Sequence, residues 1–241
     1  MSSDRPYPDC VILLPVYRPG RHLNELATAL LADGVHADRI VVVDDGSGPD
    51  AQTSLAAVRG LGCRVLQHPS NRGKGAALKT GLRFAVASRP GLDVISADAD
   101  GQHSVEDIRR VAELTGNGRI ILGVRRFAPM PPRSRFGNTV TRTLFRAATG
   151  RRVSDTQTGL RAYPSHLLEH LADIDGDRFE YEMNVLLDAA TAGQPIEEVT
   201  ISTTYLDGNA ATNFGGFADS VKVYRPLMRL VLASALVRRG S

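Results

Sequence analysis

The first half of the chain alternates short aliphatic runs with segments whose apolar residues recur every three or four positions. The runs have the length and flanking turn residues of buried strands, and the periodic segments have the pattern of helices. The predicted strands are Cys10–Leu14, Ile40–Val43, Arg64–Gln67, Val94–Ala97 and Arg119–Val124. The predicted helices are Arg21–Leu31, Ala51–Arg59, one from the Asn71–Gly75 loop to about Val86, and Ser104–Leu114. This alternation predicts an α/β fold with a doubly wound, mostly parallel sheet and helices on both faces.

Local signals mark the ends of two of these elements. Pro15 is expected to stop the first strand, because proline has no N–H to donate to a neighbouring strand. Ser104 and Asp107 have the spacing of a capping box, with Asp in place of the usual Glu, and are expected to start the fourth helix.

The pattern changes after Val124. Three prolines within Phe127–Arg135 predict a mobile loop without regular structure, and a helix is expected over Gly137–Ala148. Asp155–Tyr163 is interpreted as a turn that leads into an edge strand, which Pro164 stops. The remaining predicted elements are a helix over Glu180–Ala192, a strand over Ile196–Thr203, a loop over Asp207–Gly216 and a basic amphipathic helix at about 218–238.

Carboxylates gather where two predicted strands end. Asp44 and Asp45 follow the second strand, and Asp98 and Asp100 follow the fourth. In doubly wound sheets, ligands bind in the crevice outside the carboxyl ends of the strands, so these side chains are expected to face it. Because side chains alternate along a strand, Asp98 and Asp100 would point the same way, which is costly without a cation. A divalent metal site is one interpretation, and a surface turn is the other.

The composition is that of an ordinary soluble protein, with 42% hydrophobic and 23% charged residues in 241. The low aromatic content and the absence of tryptophan argue against a stacking platform for single-stranded nucleic acid. Cys10 and Cys63 each begin an apolar run and are expected to be buried free thiols, compatible with a reducing cytoplasm. No signal peptide, transmembrane run or linker is found, so we expect one cytoplasmic domain over residues 1–241.

The formal net charge of +3 conceals a basic block. Between Leu114 and Ser154 there is no Asp or Glu, whereas arginines accumulate and should attract anions. The basic block contains Arg125, Arg126, Arg133, Arg135, Arg142, Arg146, Arg151 and Arg152. With the final amphipathic helix, it suits an anionic, lipid-linked substrate and peripheral contact with the inner face of a membrane. A solvated basic face is the alternative interpretation.

Five motifs occur together and in one order along the chain. They are Pro15-Val16-Tyr17, Val43-Asp44-Asp45-Gly46-Ser47, Asn71-Arg72-Gly73-Lys74-Gly75, Asp98-Ala99-Asp100-Gly101-Gln102-His103 and Asp155-Thr156-Gln157-Thr158-Gly159-Leu160-Arg161. The set resembles the family 2 glycosyltransferases of the GT-A fold. More narrowly, it is similar to the branch with dolichyl-phosphate mannosyltransferase and bacterial polyprenyl-phosphate sugar transferases, although no transmembrane helix is predicted here. The resemblance extends from about Cys10 to Arg229.

The resemblance implies a nucleoside diphosphate sugar donor, linked to UDP or GDP, and a divalent cation, Mg²⁺ or Mn²⁺. The implied donor-binding residues are Pro15, Tyr17, Asp44, Asp45, Lys74, Asp98 and Ala99. Asp oxygens suit the ribose hydroxyls as acceptors, although a turn with a helix cap also accounts for Asp45-Gly46-Ser47. Lys74 or Arg72 either approaches the donor phosphates or is a solvated cation.

The cation is implied at Asp98, Asp100 and Gln102, where it would bridge the diphosphate. His103 is expected to be a polar capping neighbour rather than a ligand. The family often continues its first motif with Asn-Glu, whereas this chain has Arg18-Pro19, so one acidic donor contact is missing.

The resemblance also implies an acceptor site, in a loop and helix at about 124–150. Arg125, Arg133 and Arg135 would bind the acceptor's phosphate, because guanidinium groups bond phosphate oxygens in pairs. Asp155 is the candidate catalytic base or, failing that, an organiser of the acceptor. Asp100 is the other catalytic candidate, through the cation.

These observations predict a metal-dependent, inverting hexosyltransferase whose acceptor is a polyprenyl phosphate. A soluble hydroxyl acceptor, such as a glycan, a natural product or a protein, is the alternative. A sugar-phosphate nucleotidyltransferase would have a glycine-rich basic loop after the first strand, where this chain has Pro15–Gly20. A nucleic-acid-binding module is supported only by the basic block, so no nucleic-acid partner is expected.

Overall fold

The computed structural model describes residues 7–125 and 132–202, with the backbone alone at 132–138 and 140. Within these residues seven strands form one sheet, in the order β3-β2-β1-β4-β6-β5-β7. The strands are β1 (Cys10–Val16), β2 (Ile40–Asp44), β3 (Arg64–Gln67), β4 (Asp93–Ser96), β5 (Ile120–Arg125), β6 (Arg161–Tyr163) and β7 (Ile196–Ile201). Only β6 is antiparallel to its neighbours, so the predicted mostly parallel sheet is confirmed.

The helices cover both faces of this sheet. They are α1 (Arg21–Ala32), α2 (Gln52–Gly60), α3 (Lys74–Ser88), α4 (Val105–Ala112), α5 (Pro132–Thr149), α6 (Leu168–Asp173) and α7 (Glu180–Thr191). Alternate residues of β1 enter two separate cores: Leu13 packs with α3, α6 and α7, while Ile12 packs with α1, α2 and α4. Cys10 and Cys63 are buried free thiols, as predicted.

The order in which strands are added to the sheet reverses at β1. From β1 the chain continues to β2 and β3 on one side, and then returns to place β4 on the other side of β1. At such a reversal the loops that follow the adjacent strands β1 and β4 lead to opposite sides, which leaves a crevice at the carboxyl ends of these strands. The described residues contain no helix with both the length and the apolar character needed to cross a bilayer.

Pro15 does not stop β1, which continues to Val16. The carbonyl oxygen of Leu13 accepts from the N–H of Ala97, so residue 13, and by alternation residue 15, faces the β4 side. Strand pairing on that side ends at Ser96, so the N–H that proline lacks would have had no strand partner. A proline is therefore tolerated inside a central strand.

Two other expectations about strands are wrong. β4 ends at Ser96, so Asp98 and Asp100 lie in the turn after the strand, and alternation along a strand does not orient them. β6 is not an edge strand, because it lies between β4 and β5 and all three of its residues are buried. A run of three residues carries too little periodicity to reveal such a position.

The helices also differ in detail from the prediction. α5 begins at Pro132 rather than Gly137, because proline at the first helical position needs no hydrogen-bond donor, so the loop prediction is wrong over 132–135. α6 was not expected. Ser104 caps α4 as predicted, because its hydroxyl accepts from the N–H of Asp107. The Asp107 carboxylate, however, accepts from Arg110 and from the N–H of Ser202, and not from the N–H of Ser104 as a capping box requires.

The remaining predictions about elements fall outside the described residues. These are the continuation of the predicted loop at 127–131, the last residue of the predicted strand at Thr203, the loop Asp207–Gly216 and the amphipathic helix at about 218–238.

Candidate active site

The carboxyl edge of the sheet brings the first, second and fourth motifs together. Asp44 is the last residue of β2, Tyr17 follows β1, and Asp98 follows β4. Because β1, β2 and β4 are parallel, these residues lie at one edge, beside the crevice at the reversal. Tyr17, Asp44 and Asp98 therefore lie at the carboxyl edge of the sheet, where the strand pattern predicted them.

Ser47 joins the Tyr17 loop to Asp44. Its hydroxyl donates to Oδ1 of Asp44 and accepts from the backbone N–H of Arg18 at 2.6 Å. Gln67 donates to the other carboxylate oxygen, Oδ2, at 3.0 Å. Arg18 has a positive φ of 52°, and its guanidinium carbon lies 5.1 Å from the centre of the Tyr17 ring. The departure from the family motif thus builds a tight turn in which Arg18 covers Tyr17.

Asp45 fastens the loop that precedes α3. Its carboxylate accepts from the backbone N–H groups of Arg72 at 2.9 Å and Gly73 at 2.7 Å, and from His68 at 2.8 Å. The other ring nitrogen of His68 lies 2.9 Å from the hydroxyl of Thr80 in α3. Asp45 is buried, so its contacts within the protein account for the carboxylate. These contacts do not test its implied role at the ribose.

His68 was not predicted as a site residue from the sequence. The signal that could have found it is the one that found Asp44 and Asp98, a polar residue at the carboxyl end of a strand, since His68 directly follows β3. Gly46 allows the two loops to meet. Its φ is +70°, and a Cβ atom there would overlap the backbone of Ser70.

A buried chain of alternating charges extends from Asp98 into the protein. The Lys74 ammonium lies 2.7 Å from Oδ1 of Asp98 and 3.0 Å from Oε2 of Glu182. The remaining carboxylate oxygen of Glu182 lies 3.7 Å from the Arg161 guanidinium. Arg161 is fully buried and donates to three backbone carbonyls, those of residues 156, 158 and 182.

These ion pairs change the proton affinities of the groups that form them. Burial alone would lower the pKa of Lys74, but Asp98 and Glu182 together raise it above its ordinary value. Burial alone would raise the pKa of Asp98, but Lys74 and His103 lower it in sum. Asp98 is therefore ionised and Lys74 is charged at neutral pH.

Lys74 is consequently not the solvated cation that one interpretation allowed, because its side chain is only 16% exposed. Glu182 was not predicted from the sequence. The signal that could have found it is a carboxylate in the mostly apolar stretch from Tyr181 to Leu187.

Gly159 sets the position of Asp98. A Cβ atom at Gly159 would overlap Oδ2 of Asp98, so the carboxylate lies directly against the backbone of the fifth motif. This contact joins the turn after β4 to the segment before β6. It also brings the motif of Asp155 beside the Asp98 carboxylate.

Asp100 and Gln102 form a small separate unit. Both the backbone N–H and the amide nitrogen of Gln102 donate to the Asp100 carboxylate, at 3.0 and 2.9 Å. Gln102 therefore orients Asp100, while its implied role as a ligand is neither supported nor contradicted. Ala99, between the two aspartates, packs against the core that contains α1, α2 and α4.

His103 interacts electrostatically with four of the charged groups. Its Nδ1 atom is buried and has no hydrogen-bond partner among the described residues. The pKa of His103 is lowered in sum. Burial, Lys74 and Arg125 lower it, and together they outweigh Asp98 and Asp100, which raise it. The imidazole is therefore neutral at pH 7, and all four charged groups are close enough to act on it.

Arg125 and Asp155 form a buried pair. The guanidinium bonds both carboxylate oxygens, at 2.7 and 3.2 Å, and the backbone N–H of Gln157 donates to Oδ1 at 3.0 Å. The Asp155 side chain is only 3% exposed. Both of its carboxylate oxygens are already occupied by hydrogen-bond donors. The implied acceptor arginine and the implied base are thus partners of each other.

The other two implied acceptor residues lie in α5. Arg133 and Arg135 belong to its first turns, and the structure describes only their backbone. Elsewhere in the basic block, Arg151 donates to the carbonyl of Gln194, whereas Arg146 and Arg152 are exposed.

The donor set at this site fits a divalent cation that shares its coordination with a substrate. Asp98 and Asp100 supply hard carboxylate oxygens, and the buried Nδ1 of His103 has no partner among the described residues. No three His, Cys, Asp or Glu side chains in residues 7–125 and 132–202 converge into a complete metal cage. Mg²⁺ and Mn²⁺ are commonly held by one or two carboxylates and completed by phosphate oxygens and water.

Comparison with known sequences finds one family and several related enzymes. Residues 11–171 match the glycosyl transferase family 2 profile. A UDP-N-acetylglucosamine–dolichyl-phosphate N-acetylglucosaminyltransferase of Methanococcus voltae is 26% identical over 240 residues, which cover 90% of this chain and 94% of that protein. The polyprenol monophosphomannose synthase of Mycolicibacterium smegmatis is 28% identical over 220 residues, which cover 84% of this chain and 80% of that protein.

Comparison with solved structures supports the fold. Glucosyl-3-phosphoglycerate synthase from Mycobacterium tuberculosis, in complex with Mn²⁺, UDP and glucosyl-3-phosphoglycerate, matches with a TM-score of 0.71. The two are 20% identical, and the match covers 93% of this chain and 80% of that one. The predicted GT-A-like class of fold is confirmed.

Proposed function

The chain belongs to glycosyl transferase family 2 and is a glycosyltransferase, and from this premise we propose that it transfers a sugar from a nucleoside diphosphate sugar to a polyprenyl phosphate. The observation that carries the proposal is the contact of Asp98 with Gly159. In this contact Asp98 lies against the segment whose Asp155 holds Arg125. This proximity supports a single site for the donor and the acceptor.

The donor would lie along the carboxyl edge of the sheet. The loops of Tyr17 and Asp44, joined through Ser47, would contact the base and ribose, with Pro15 and Asp45 shaping that pocket. Asp98 and Asp100, with Gln102 and His103 as further candidates, would hold the divalent cation. When bound, Mg²⁺ or Mn²⁺ would neutralise the charge that develops on the leaving diphosphate. The solved relative with Mn²⁺ and UDP supports this assignment by analogy.

The arrangement of Asp155 favours a phosphate acceptor. A hydroxyl acceptor needs a base to take its proton, whereas a phosphate oxygen is already anionic at neutral pH. Because Arg125 and the N–H of Gln157 occupy the Asp155 carboxylate, Asp155 acts as an organiser that orients Arg125 toward the acceptor. Arg133 and Arg135 are proposed to bind the same phosphate. Two sequence relatives are named for polyprenol or dolichyl-phosphate substrates, which agrees with this choice.

Transfer would proceed with inversion. The acceptor oxygen attacks the anomeric carbon from the face opposite the departing diphosphate, so one displacement inverts the configuration.

We propose that the chain acts as one domain and contacts the membrane peripherally from the cytoplasmic side, where a lipid-linked phosphate is found. Flotation with anionic vesicles at low and high salt tests this contact, because attraction of a basic surface weakens with salt.

The function is tested by product formation from labelled UDP- and GDP-sugars with Mn²⁺. Three acceptors are compared: a polyprenyl phosphate, the matching polyprenol, and a soluble phosphate ester that carries a hydroxyl. Transfer to the polyprenyl phosphate alone, with inverted stereochemistry, is expected. Transfer to the soluble ester alone would favour the alternative of a soluble acceptor, and no transfer to any acceptor would contradict the proposal.

Replacing the metal-binding carboxylate should abolish transfer without unfolding the protein. For Asp100→Ala we expect activity to fall by at least about 100-fold, because charge on the leaving group is no longer neutralised. The fold should survive, since the hydrogen bonds of Asp100 are made to Gln102 within the same turn. Asp50→Ala, at an exposed position after β2, is the matched control. Near-normal turnover of Asp100→Ala would remove the metal from the proposal.

A further inference from the structure

The charged chain behind Asp98 has a consequence for metal binding. The Lys74 ammonium is held between two carboxylates, at 2.7 Å from Asp98 and 3.0 Å from Glu182. Beyond Glu182 lies the buried Arg161 guanidinium. Negative and positive groups alternate along these four residues, so their formal charges cancel. The Asp98 carboxylate is thus already neutralised from within the protein.

A divalent cation that approaches Asp98 alone would upset this balance. It would add two positive charges beside the Lys74 ammonium, in a partly buried region where repulsion is stronger than in water. A nucleoside diphosphate that arrives with the cation brings compensating negative charge. The pair should therefore bind where the bare cation binds poorly.

Glu182 gives Lys74 a second place to put its charge. If a cation replaced Lys74 at Asp98, Lys74 would keep its ion pair with Glu182 and would not become an unpaired buried charge. Its ammonium is then free to meet a phosphate oxygen of the donor. Arg161 donates to three backbone carbonyls and is therefore fixed, and its ion pair with Glu182 holds Glu182 in place if Lys74 moves.

We propose that Lys74 is a built-in counter-charge that makes divalent-cation binding at Asp98 depend on the presence of a nucleoside diphosphate. The inference rests on the proposed function, because it assumes that the cation and the diphosphate share this site. It assigns to Lys74 a role in selecting the metal–nucleotide complex over the free metal. Glu182 is the positioning residue that supports this selection.

The test is isothermal titration calorimetry in two arms. In the first, Mn²⁺ is titrated into the protein alone. In the second, UDP or GDP is titrated in at a fixed Mn²⁺ concentration. The variants are Lys74→Gln and Glu182→Gln, and the control is Lys79→Gln, which removes another lysine of α3 that pairs with Asp177 and not with Asp98. Circular dichroism and thermal melting confirm that each variant is folded.

The two variants should change Mn²⁺ affinity in opposite directions. Lys74→Gln should bind Mn²⁺ alone about tenfold more tightly than the wild type, because repulsion is removed. Glu182→Gln should bind Mn²⁺ alone more weakly, because Lys74 then neutralises Asp98 without competition. Lys79→Gln should match the wild type. A purely structural role would instead weaken binding in both site variants.

The outcomes separate the inference from the proposed function. If the wild type binds nucleotide with Mn²⁺ and Lys74→Gln binds Mn²⁺ alone no more tightly than the wild type does, the inference is wrong and the donor site stands. If the wild type binds neither nucleotide with Mn²⁺, the proposed donor site fails and the inference fails with it. If Lys74→Gln does not fold, a Glu182→Gln affinity for Mn²⁺ that equals or exceeds that of the wild type overturns the inference.

Discussion

Gly159 has no side chain beyond a hydrogen atom, and the Asp98 carboxylate occupies the space that a larger side chain would fill. A methyl group there would overlap Oδ2, while Oδ1 is already fixed by Lys74. Asp98 would have to leave either its place against the backbone or its ion pair. One glycine therefore links the turn that carries the donor-side aspartates to the motif that carries Asp155.

Adding that methyl group should damage the site more than the fold. For Gly159→Ala we expect the transfer rate to fall by about ten- to 100-fold, because small displacements of catalytic groups carry costs of this size. Gly60→Ala is the matched control, since a Cβ atom at Gly60 would have no heavy atom within 4 Å. Steady-state kinetics with thermal melting measure the effect. Unchanged kinetics in Gly159→Ala would show that the position of Asp98 is not critical.

Sequence analysis could identify candidate residues but not their partners. Asp98 and Asp155 stand in recognisable motifs, and strand ends explain why the former lies at the crevice. The ion pairs behind Asp98 depend on packing between distant elements: its partner Lys74 begins α3, and Glu182, which also pairs with Lys74, lies in α7. No local pattern encodes a contact of this kind. The pairing of Asp155 with Arg125 is equally hidden, and it changes a candidate base into a proposed organiser.

At the scale of elements, the start of α3 is held from three sides. Asp45 binds the backbone of residues 72 and 73, and His68 connects Asp45 to Thr80 in the second turn of α3. The backbone of Asp177 accepts from the N–H of Ala76 on the side of α7. These contacts fix the point from which Lys74 projects.

Breaking this connection at His68 should loosen the start of α3. For His68→Leu we expect a loss of about 1–3 kcal/mol in the free energy of unfolding, because the buried Asp45 loses a hydrogen-bond donor. His36→Leu, at an exposed position, is the control. Urea denaturation measures both variants. An equal effect of the two changes would contradict the role given to His68.

The alternation of elements was predictable because each strand and helix in the first half carries its own period. β6 was misplaced since its pairing with β4 and β5 is a property of the sheet and not of its three residues. The capping box was half correct for a related reason. The Asp107 side chain is drawn to Arg110 and to the backbone after β7, which sequence spacing cannot reveal.

At the scale of the whole molecule, ion pairs between aspartates and lysines connect different elements, both at the surface and at the candidate site. A hydrogen bond from Lys79 lowers the pKa of Asp177, and Lys74 with His103 lowers that of Asp98 against the effect of burial. A carboxylate whose pKa is lowered in the folded state stabilises that state above its ordinary pKa. This stabilisation is lost as the pH falls through the lowered value.

The free energy of unfolding should therefore decrease as the pH falls below about 4, the ordinary pKa of an aspartate. Asp177→Asn should reduce this dependence, because asparagine does not titrate. Asp50→Asn, at an exposed position, should leave the dependence unchanged. Denaturant titrations at several pH values measure the slopes. Equal slopes in the wild type and Asp177→Asn would contradict the assignment.

The sheet order also constrains how the chain can assemble as it leaves the ribosome. Strands β3, β2, β1 and β4 come from the first hundred residues and can pair as soon as those have emerged, whereas β6 pairs Tyr163 with Val94 only much later. Until then the edge of β4 is a template for unwanted strands. The half with Asp44 and Asp98 is expected to form first, and the half with Arg125 and Asp155 to be added to it, so truncated chains should tend to aggregate through β4.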